Sequence, residues 1–483
     1  MGEANMFNRR DPMPARRPIA VEKTRIDRII DEDLSLTRLI YSYIACAAFW
    51  LVFGTMAGEY LGIRFDFPDF GIHPWLSFGR LRPIHTNTVF WGWASLAMIA
   101  LALYVVPRTS QRRLYSTGLA WSALFLVNLS VLSGVVLLFL GVNNGGQEYR
   151  EFIWPSMGLF MLALIVLTYD LYRTVAKRNI GEIYISNWYI MAAFLWTVVL
   201  SVTAYLPWYQ HGLGETVVQG YYMHMGVGMW FTPMVLGLTY YFLPKLLNKP
   251  IYSYSLGVLA FWTQMVFYSL IGAHHFVFSP IPWWLQTVAI IFSVGMFIPL
   301  IAGTGNFLLT MRGSGRTIAR SYSLPFILVG VIFYFFASGQ GTFEAFRSLN
   351  NLWHFTNYTI SHSHLTMYGF VSFLIWGGIY GLLPGLTGKE PDHILVGVHF
   401  WFALTGVLIY GFSLVVGGTA QGQSWLSGAP FIDSVKLMSS YWLGRAVGGS
   451  LMLLSHMIFA YNVWKMKPET EPEKVPAPSG ETA

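Results

Sequence analysis

The chain has 483 residues, of which 54% are hydrophobic and only 11% charged, with a formal net charge of +7. Because soluble domains carry about 25% charged residues, this balance excludes an ordinary water-soluble protein and leaves a polytopic membrane protein. The single cysteine, Cys46, excludes a disulfide framework, a CxxC redox pair and a c-type haem attachment motif.

A bilayer core is spanned by about 20 apolar residues in helical form. Read on that basis, the apolar runs predict an all-α fold of twelve transmembrane helices. The first six lie near 36–61, 85–106, 115–140, 152–175, 186–206 and 217–243. The second six lie near 251–278, 282–310, 322–340, 355–384, 393–418 and 438–464. A basic arm over 1–35 precedes this domain of 36–466, and a tail over 467–483, rich in Glu, Lys and Pro, is expected to be disordered. No internal repeat stands out.

Connections that retain Lys and Arg stay on the cytoplasmic side. One set holds Arg108, Arg112 and Arg113; Arg173, Lys177 and Arg178; Lys245 and Lys249; Arg312, Arg316 and Arg320; and Lys389. The alternate set is poor in cations, so both termini are expected in the cytoplasm. The pI of about 9.2 then reflects topology and not nucleic-acid binding.

Six of the twelve histidines fall at one depth. His85 opens the second span, His224 lies about two turns into the sixth, His274 and His275 sit near the outer end of the seventh, and His362 and His364 lie about two turns into the tenth. Intramembrane histidines face cavities or functional pathways. Residues two apart on a helix point about 200° from each other, so His362 and His364 serve two cofactors, one on each face. Adjacent His274 and His275, with His224 from a facing helix, offer three imidazoles to one ion. With no thiolate near, that set suits zinc, or copper if the chemistry is redox. Tyr268, seven residues before His275, is expected on nearly the same helical face, where its phenol can give a redox metal a proton and an electron. His73, His211, His393, His399 and His456 read as packing or solvated residues.

The segments Tyr268-Ser-Leu-Ile-Gly-Ala-His274-His275, Tyr222-Met-His224 and His354-Phe-Thr-Asn-Tyr-Thr-Ile-Ser-His362-Ser-His364 resemble subunit I of the haem-copper oxygen reductases, specifically the C family of cytochrome cbb3 oxidases. The resemblance runs from Arg80-Leu-Arg82-Pro83-Ile-His85-Thr86 through Gly145-Gly-Gln-Glu148-Tyr to Gly444-Arg445-Ala-Val-Gly-Gly. It implies that His85 and His364 are axial ligands of a low-spin haem b and that His362 is the proximal ligand of a high-spin haem b. Copper would be held by His224, His274 and His275, with Tyr268 bonded covalently to His224. It further implies Arg82, Arg445 and His354 near haem propionates, and Glu148 as a calcium ligand. Glu344, in Thr342-Phe343-Glu344, resembles a family glutamate, although its interval to His362 is about one helical turn shorter. The implied activity is reduction of O2 to water in a bacterial inner membrane, with electrons from membrane-anchored c-type cytochrome subunits. Any covalently attached haem must sit on those subunits. Protons would be drawn from the cytoplasm along a polar path for which Thr232, Tyr240, Tyr241, Tyr268 and Glu344 are candidates.

Two alternatives remain. The stretch His362-Ser-His364-Leu-Thr-Met-Tyr-Gly also resembles nitric oxide reductases, which bind non-haem iron, carry a glutamate one turn after the sixth-helix histidine and lack the tyrosine. This chain has Gly228 and Tyr268 at those positions. A twelve-span secondary transporter fits the span count but gives no reason for six histidines in one layer.

Overall fold

The computed structural model describes residues 33–145, 147–206 and 211–469. Most of the expected arm and tail therefore lies outside the described residues. The long apolar runs form helices, the one conformation in which a single segment satisfies its own backbone in lipid. They are α1 (Leu34–Asp66), α2 (Phe78–Thr109), α3 (Thr117–Phe139), α4 (Trp154–Ala176), α5 (Ile185–Tyr205), α6 (Leu213–Met225 continuing to Leu247), α7 (Tyr254–Tyr268), α8 (Trp283–Met311), α9 (Leu324–Glu344), α10 (Asn357–Thr387), α11 (His393–Leu426) and α12 (Phe431–Lys465). Ten of these are long and apolar enough to cross a membrane. The other two are α6, whose apolar run is diluted by Thr232, Pro233, Thr239, Tyr240 and Tyr241, and α7, which stops at Tyr268.

Capping side chains explain several starts. Asp33 accepts from Ser35 N and Leu36 N at 3.1 Å to open α1, and Ser116 and Asp392 open α3 and α11 in the same way. Two expectations need correction. α2 begins seven residues before His85, because Phe78 to Pro83 already wind as helix, so this histidine lies inside its helix and not at its opening. The seventh span is not one helix: after Tyr268 the chain turns and re-forms as a 3₁₀ segment, Gly272–Phe276, which carries His274 and His275.

The bundle is built around α2, α6 and α10. The apolar windows of α2 and α10 are 89% and 78% buried, against 33–61% for the other eight qualifying helices. All three central helices contain a π segment: Thr88–Ala94, Gly226–Phe231 and Leu365–Ser372. Each segment starts within three residues after a histidine of the predicted layer. A π turn leaves a carbonyl out of the α ladder, and here side chains recapture it. Ser95 Oγ donates to Phe90 O at 2.8 Å, Ser372 Oγ to Met367 O at 2.9 Å, and Gln264 Nε2 to Gly228 O at 2.9 Å. Two indoles then tie the segments together, Trp230 to Ser95 Oγ at 2.9 Å and Trp93 to Ser372 Oγ at 3.0 Å.

A local repeat that sequence periodicity did not reveal appears in the antiparallel pairs. Ahead of α3, Ser116 N and Tyr115 N donate to Asp170 and Thr174 of α4 at 2.8 and 2.9 Å. Ahead of α7, Ser253 N and Tyr252 N donate to Asn306 and Thr310 of α8 at 2.9 and 3.0 Å. Both pairs thus use an Asx-x-x-x-Thr ledge to satisfy the backbone where a helix enters the bundle.

Candidate metal centre

The three π-bearing helices, with α1, α7, α8, α9, α11 and α12, enclose a cavity of about 730 Å³. His85, His224, His274, His275, His362 and His364 all line it. Two histidine groupings occupy it, with His364 in one of them and His362 in neither.

The first grouping is a triad. The rings of His224, His274 and His275 lie 4.5–4.9 Å apart, and their candidate ligand atoms all fall within 4.8 Å of one another. Ser293 Oγ donates to Ala289 O, so it accepts from His274 Nδ1 at 2.7 Å. That bond leaves His274 Nε2 as a lone-pair donor, the usual arrangement behind a metal-bound imidazole. His224 Nδ1 is buried with no hydrogen-bond partner among the described residues. Three converging neutral nitrogens and no carboxylate or thiolate in the group fit copper.

Tyr268 reaches this triad although the helix that was to align it ends. Its ring centroid is 5.0 Å from that of His224. Gly228, one turn after His224, makes the contact possible, because a Cβ there would lie 1.5 Å from Tyr268 Cε1.

The second grouping is a pair. His85 and His364 face each other with ring centroids 6.2 Å apart and planes 13° from parallel. Each Nδ1–H donates to a carbonyl at 2.8 Å, Gly54 O and Ile360 O respectively, which turns both Nε2 lone pairs inward. The separation fits one metal ion reached from both sides at about 2 Å per nitrogen. Glycines clear the space: a Cβ on Gly58 would stand 2.5 Å from His85 Nδ1, and one on Gly341 would stand 2.6 Å from His362 Cε1. The cavity, the inward lone pairs and these glycine cradles fit planar haem groups on His85–His364 and on His362.

At the rim, Arg82 forms ion pairs with Glu148 and, at 3.4 Å, with Glu151. Glu151 also accepts from Asn87 Nδ2 at 2.8 Å. Burial pushes the Glu151 carboxyl up to about 7, against the pull of Asn87 and Arg82. Glu151 was not anticipated, although it stands three residues after Glu148 in one motif. Arg445 lies over the Phe65 ring at 4.5 Å, and His354 stacks on Phe355 at 3.9 Å. Both line the cavity, and burial lowers the His354 imidazole to about 4, which keeps it neutral. Glu344 also lines it, its carboxylate accepting from Thr359, three residues before His362.

The expected proton-path residues divide. Thr232 lines the cavity. Tyr240 and Tyr241 do not: Tyr240 is buried between α6 and α8, with its Oη accepting from Asn306 Nδ2 at 3.4 Å, and Tyr241 Oη accepts from Lys245 at 2.8 Å. Two residues not anticipated, Gln264 and Tyr334, line the wall near Tyr268 instead.

This arrangement defines a membrane-embedded redox subunit in which one cavity joins an imidazole pair to an imidazole triad. The family model for cytochrome c and quinol oxidase polypeptide I matches residues 38–451, and the chain belongs to that family. It is thus the catalytic subunit I of a haem-copper terminal oxidase, a family that implies haem and copper. Among its relatives, "Cytochrome c oxidase subunit 1 homolog" of Azorhizobium caulinodans is 32% identical, covering 90% of this chain and 82% of the relative. "Cbb3-type cytochrome c oxidase subunit CcoN1" of Stutzerimonas stutzeri is 30% identical, covering 91% and 98%. A cryo-EM structure of a heme-copper terminal oxidase dimer matches with a TM-score of 0.77 at 16% identity, covering 90% of this chain and 85% of that one. That likeness concerns the fold.

Proposed function

We propose that the chain is the catalytic subunit of a cbb3-type oxidase, which reduces O2 to water with electrons from c-type cytochrome subunits. All twelve helices cross the bacterial inner membrane in this reading, α6 and α7 included, with both termini cytoplasmic and a single domain over 36–466. The observation that carries it is the interlock of Gly228 with Tyr268 beside His224. A glutamate at 228, as in nitric oxide reductases, has no room while the phenol is in place. Tyr268 in turn fills the space such a carboxylate would use to bind iron.

The residues divide the work. His85 and His364 would hold a low-spin haem b, His362 a high-spin haem b, and His224, His274 and His275 copper. When bound, these groups supply electrons to oxygen. Tyr268 keeps a proton at Oη next to the triad, and burial excludes bulk water from it. Thr232, Gln264 and Tyr334 offer polar atoms on the same wall from which that proton is replaced, with Tyr240 behind them. The Lys245–Tyr241 pair stands at the basic end. Arg82, Arg445 and His354 would meet haem propionates, and Glu148 with Glu151 would offer carboxylates to calcium.

Metal analysis of the purified enzyme, with turnover on O2 and on NO, tests the reading. Copper at about half the haem content, with O2 as the faster substrate, is expected. Non-haem iron with preferential NO turnover would transfer the chain to the reductases.

A further inference from the structure

The two ledges that receive α3 and α7 agree bond for bond except at one atom, and that atom belongs to a buried carboxyl group away from the metal centre. Ser116 N donates to Asp170 Oδ1 at 2.8 Å, and Ser253 N donates to Asn306 Oδ1 at 2.9 Å. One residue earlier, Tyr115 N and Tyr252 N donate to Thr174 Oγ1 and Thr310 Oγ1 at 2.9 and 3.0 Å. Both threonines donate back one turn, to Asp170 O at 2.9 Å and to Asn306 O at 2.7 Å. The first helical turns match as well. Ser116 Oγ and Ser253 Oγ accept from Leu119 N and Leu256 N at 3.3 and 3.2 Å, and Ser116 O and Ser253 O accept from Ala120 N and Gly257 N at 3.4 and 3.3 Å.

The difference lies in the second polar atom of the Asx side chain. Because Ser253 N is a donor it must meet the Asn306 oxygen, which leaves Nδ2 to donate to Ser253 O at 2.8 Å. By the same geometry Asp170 Oδ2 takes that nitrogen's place, fully buried and with no donor in reach among the described residues. An ionised carboxylate there would set a charged acceptor against the Ser116 carbonyl and leave its charge unpaired in apolar surroundings, a costly arrangement. A proton on Oδ2 removes both faults, since a carboxylic acid offers one acceptor and one donor as an amide does.

We propose that Asp170 is a neutral carboxylic acid in the folded protein, its Oδ2–H donating to Ser116 O as Asn306 Nδ2–H donates to Ser253 O, and that loss of this proton in alkaline solution unlatches the entry of α3 against α4. The second ledge, closed by an amide, has no proton to lose over the same range.

The neighbouring elements supply no cation to hold a charge on Asp170. From α1, Tyr43 acts on it electrostatically but donates its hydroxyl to Ala120 O at 2.7 Å, and Cys46 follows three residues on. Within α4, Arg173 and Lys177 lie over the Tyr115 ring at 5.2 Å, and Tyr169 packs against that ring at 5.7 Å. From α2, Arg108 lies over the Tyr104 ring at 3.5 Å, and Thr109 donates to Asn187 of α5 at 2.8 Å. Arg112 and Arg113 are exposed in the connection to α3. No ion pair reaches Asp170 among the described residues.

Asp170→Asn in the whole enzyme complex tests the assignment, because the amide supplies the same donor without a titratable proton. An unfolded aspartate is ionised above about pH 4, so folding of the parent takes up one proton that folding of the variant does not, and the parent loses ground by about tenfold per pH unit in the unfolding equilibrium. Thermal midpoints in detergent from about pH 5 to about pH 9 should therefore diverge, with the variant gaining on the parent as pH rises. The parent-minus-variant infrared difference at neutral pH should contain the carbonyl band of a protonated carboxylic acid. Midpoints that stay parallel across the range, or a difference spectrum holding only carboxylate bands, overturn the proposal. If Asp170→Asn does not assemble, Asn306→Asp carries the test to the second ledge: a protonated-carboxyl band gained at neutral pH is the expected result, and a gained carboxylate band overturns the argument from ledge geometry.

Discussion

Tyr268 and Gly228 act as one unit at the residue scale. Removing the phenolic oxygen in Tyr268→Phe leaves the ring packed and every imidazole in place. Haem and copper content should persist while O2 turnover falls by about 100-fold or more, measured with an oxygen electrode. A cross-linked His224–Tyr268 peptide should be seen by mass spectrometry in the parent and be missing from this variant. Gly228→Ala should reproduce the loss with the phenol still present, since the new Cβ displaces the ring. Wild-type turnover in that variant would break the proposed link between glycine and tyrosine. His362→Ala should perturb carbon monoxide binding more than the low-spin band, and His364→Ala the reverse; equal losses would argue against two haems. The triad was legible because imidazoles are scarce in apolar helices and their depth can be counted. The glycines that cradle His85 and His362 were not, since hydropathy cannot register where a side chain must be missing.

At the scale of elements, helix count and order follow from the apolar runs, whereas local winding does not. Tyr268 reaches His224 because α7 stops there and the chain re-forms as a 3₁₀ turn, a geometry that uniform 3.6-residue spacing cannot anticipate. The π segments were equally hidden, because one surplus residue changes neither composition nor length appreciably. Ser95 is one of two staples that hold two groups each, closing on Phe90 O and receiving the Trp230 indole as Ser372 closes on Met367 O and receives that of Trp93. Ser95→Ala strands both groups in a buried setting and should lower stability by about 1–3 kcal/mol. The measurement is thermal denaturation in detergent, and an unchanged midpoint would show that the π turns are held by packing alone.

For the whole molecule, the lone cysteine sits half-buried within α1, so this chain cannot carry a covalently linked haem. In a denaturing gel stained for haem, its band should remain dark to the stain while smaller c-type partners light up. Staining of this subunit would contradict the proposed reading, in which haem is held non-covalently here and covalently on c-type partners. Architecture was readable to this extent because bilayer thickness and loop charge constrain a membrane chain so strongly. The ledge shared by Asp170–Thr174 and Asn306–Thr310 escaped notice because it is a two-residue echo in otherwise unrelated segments.

The π turns also bear on how such a site tolerates insertion and deletion. An α-helix rotates by about 100° per residue, so each surplus residue decouples the angular phase of the histidine-bearing end from that of the rest of its helix. Deleting one residue inside Gly226–Phe231 would swing His224 about a quarter turn away from His274 and His275 while leaving the helix intact. Gene-length changes confined to the loops carry no such angular penalty. The ligand-bearing ends are in effect indexed to their own frame, and the catalytic layer can be retimed against the scaffold only one residue, and one large rotation, at a time.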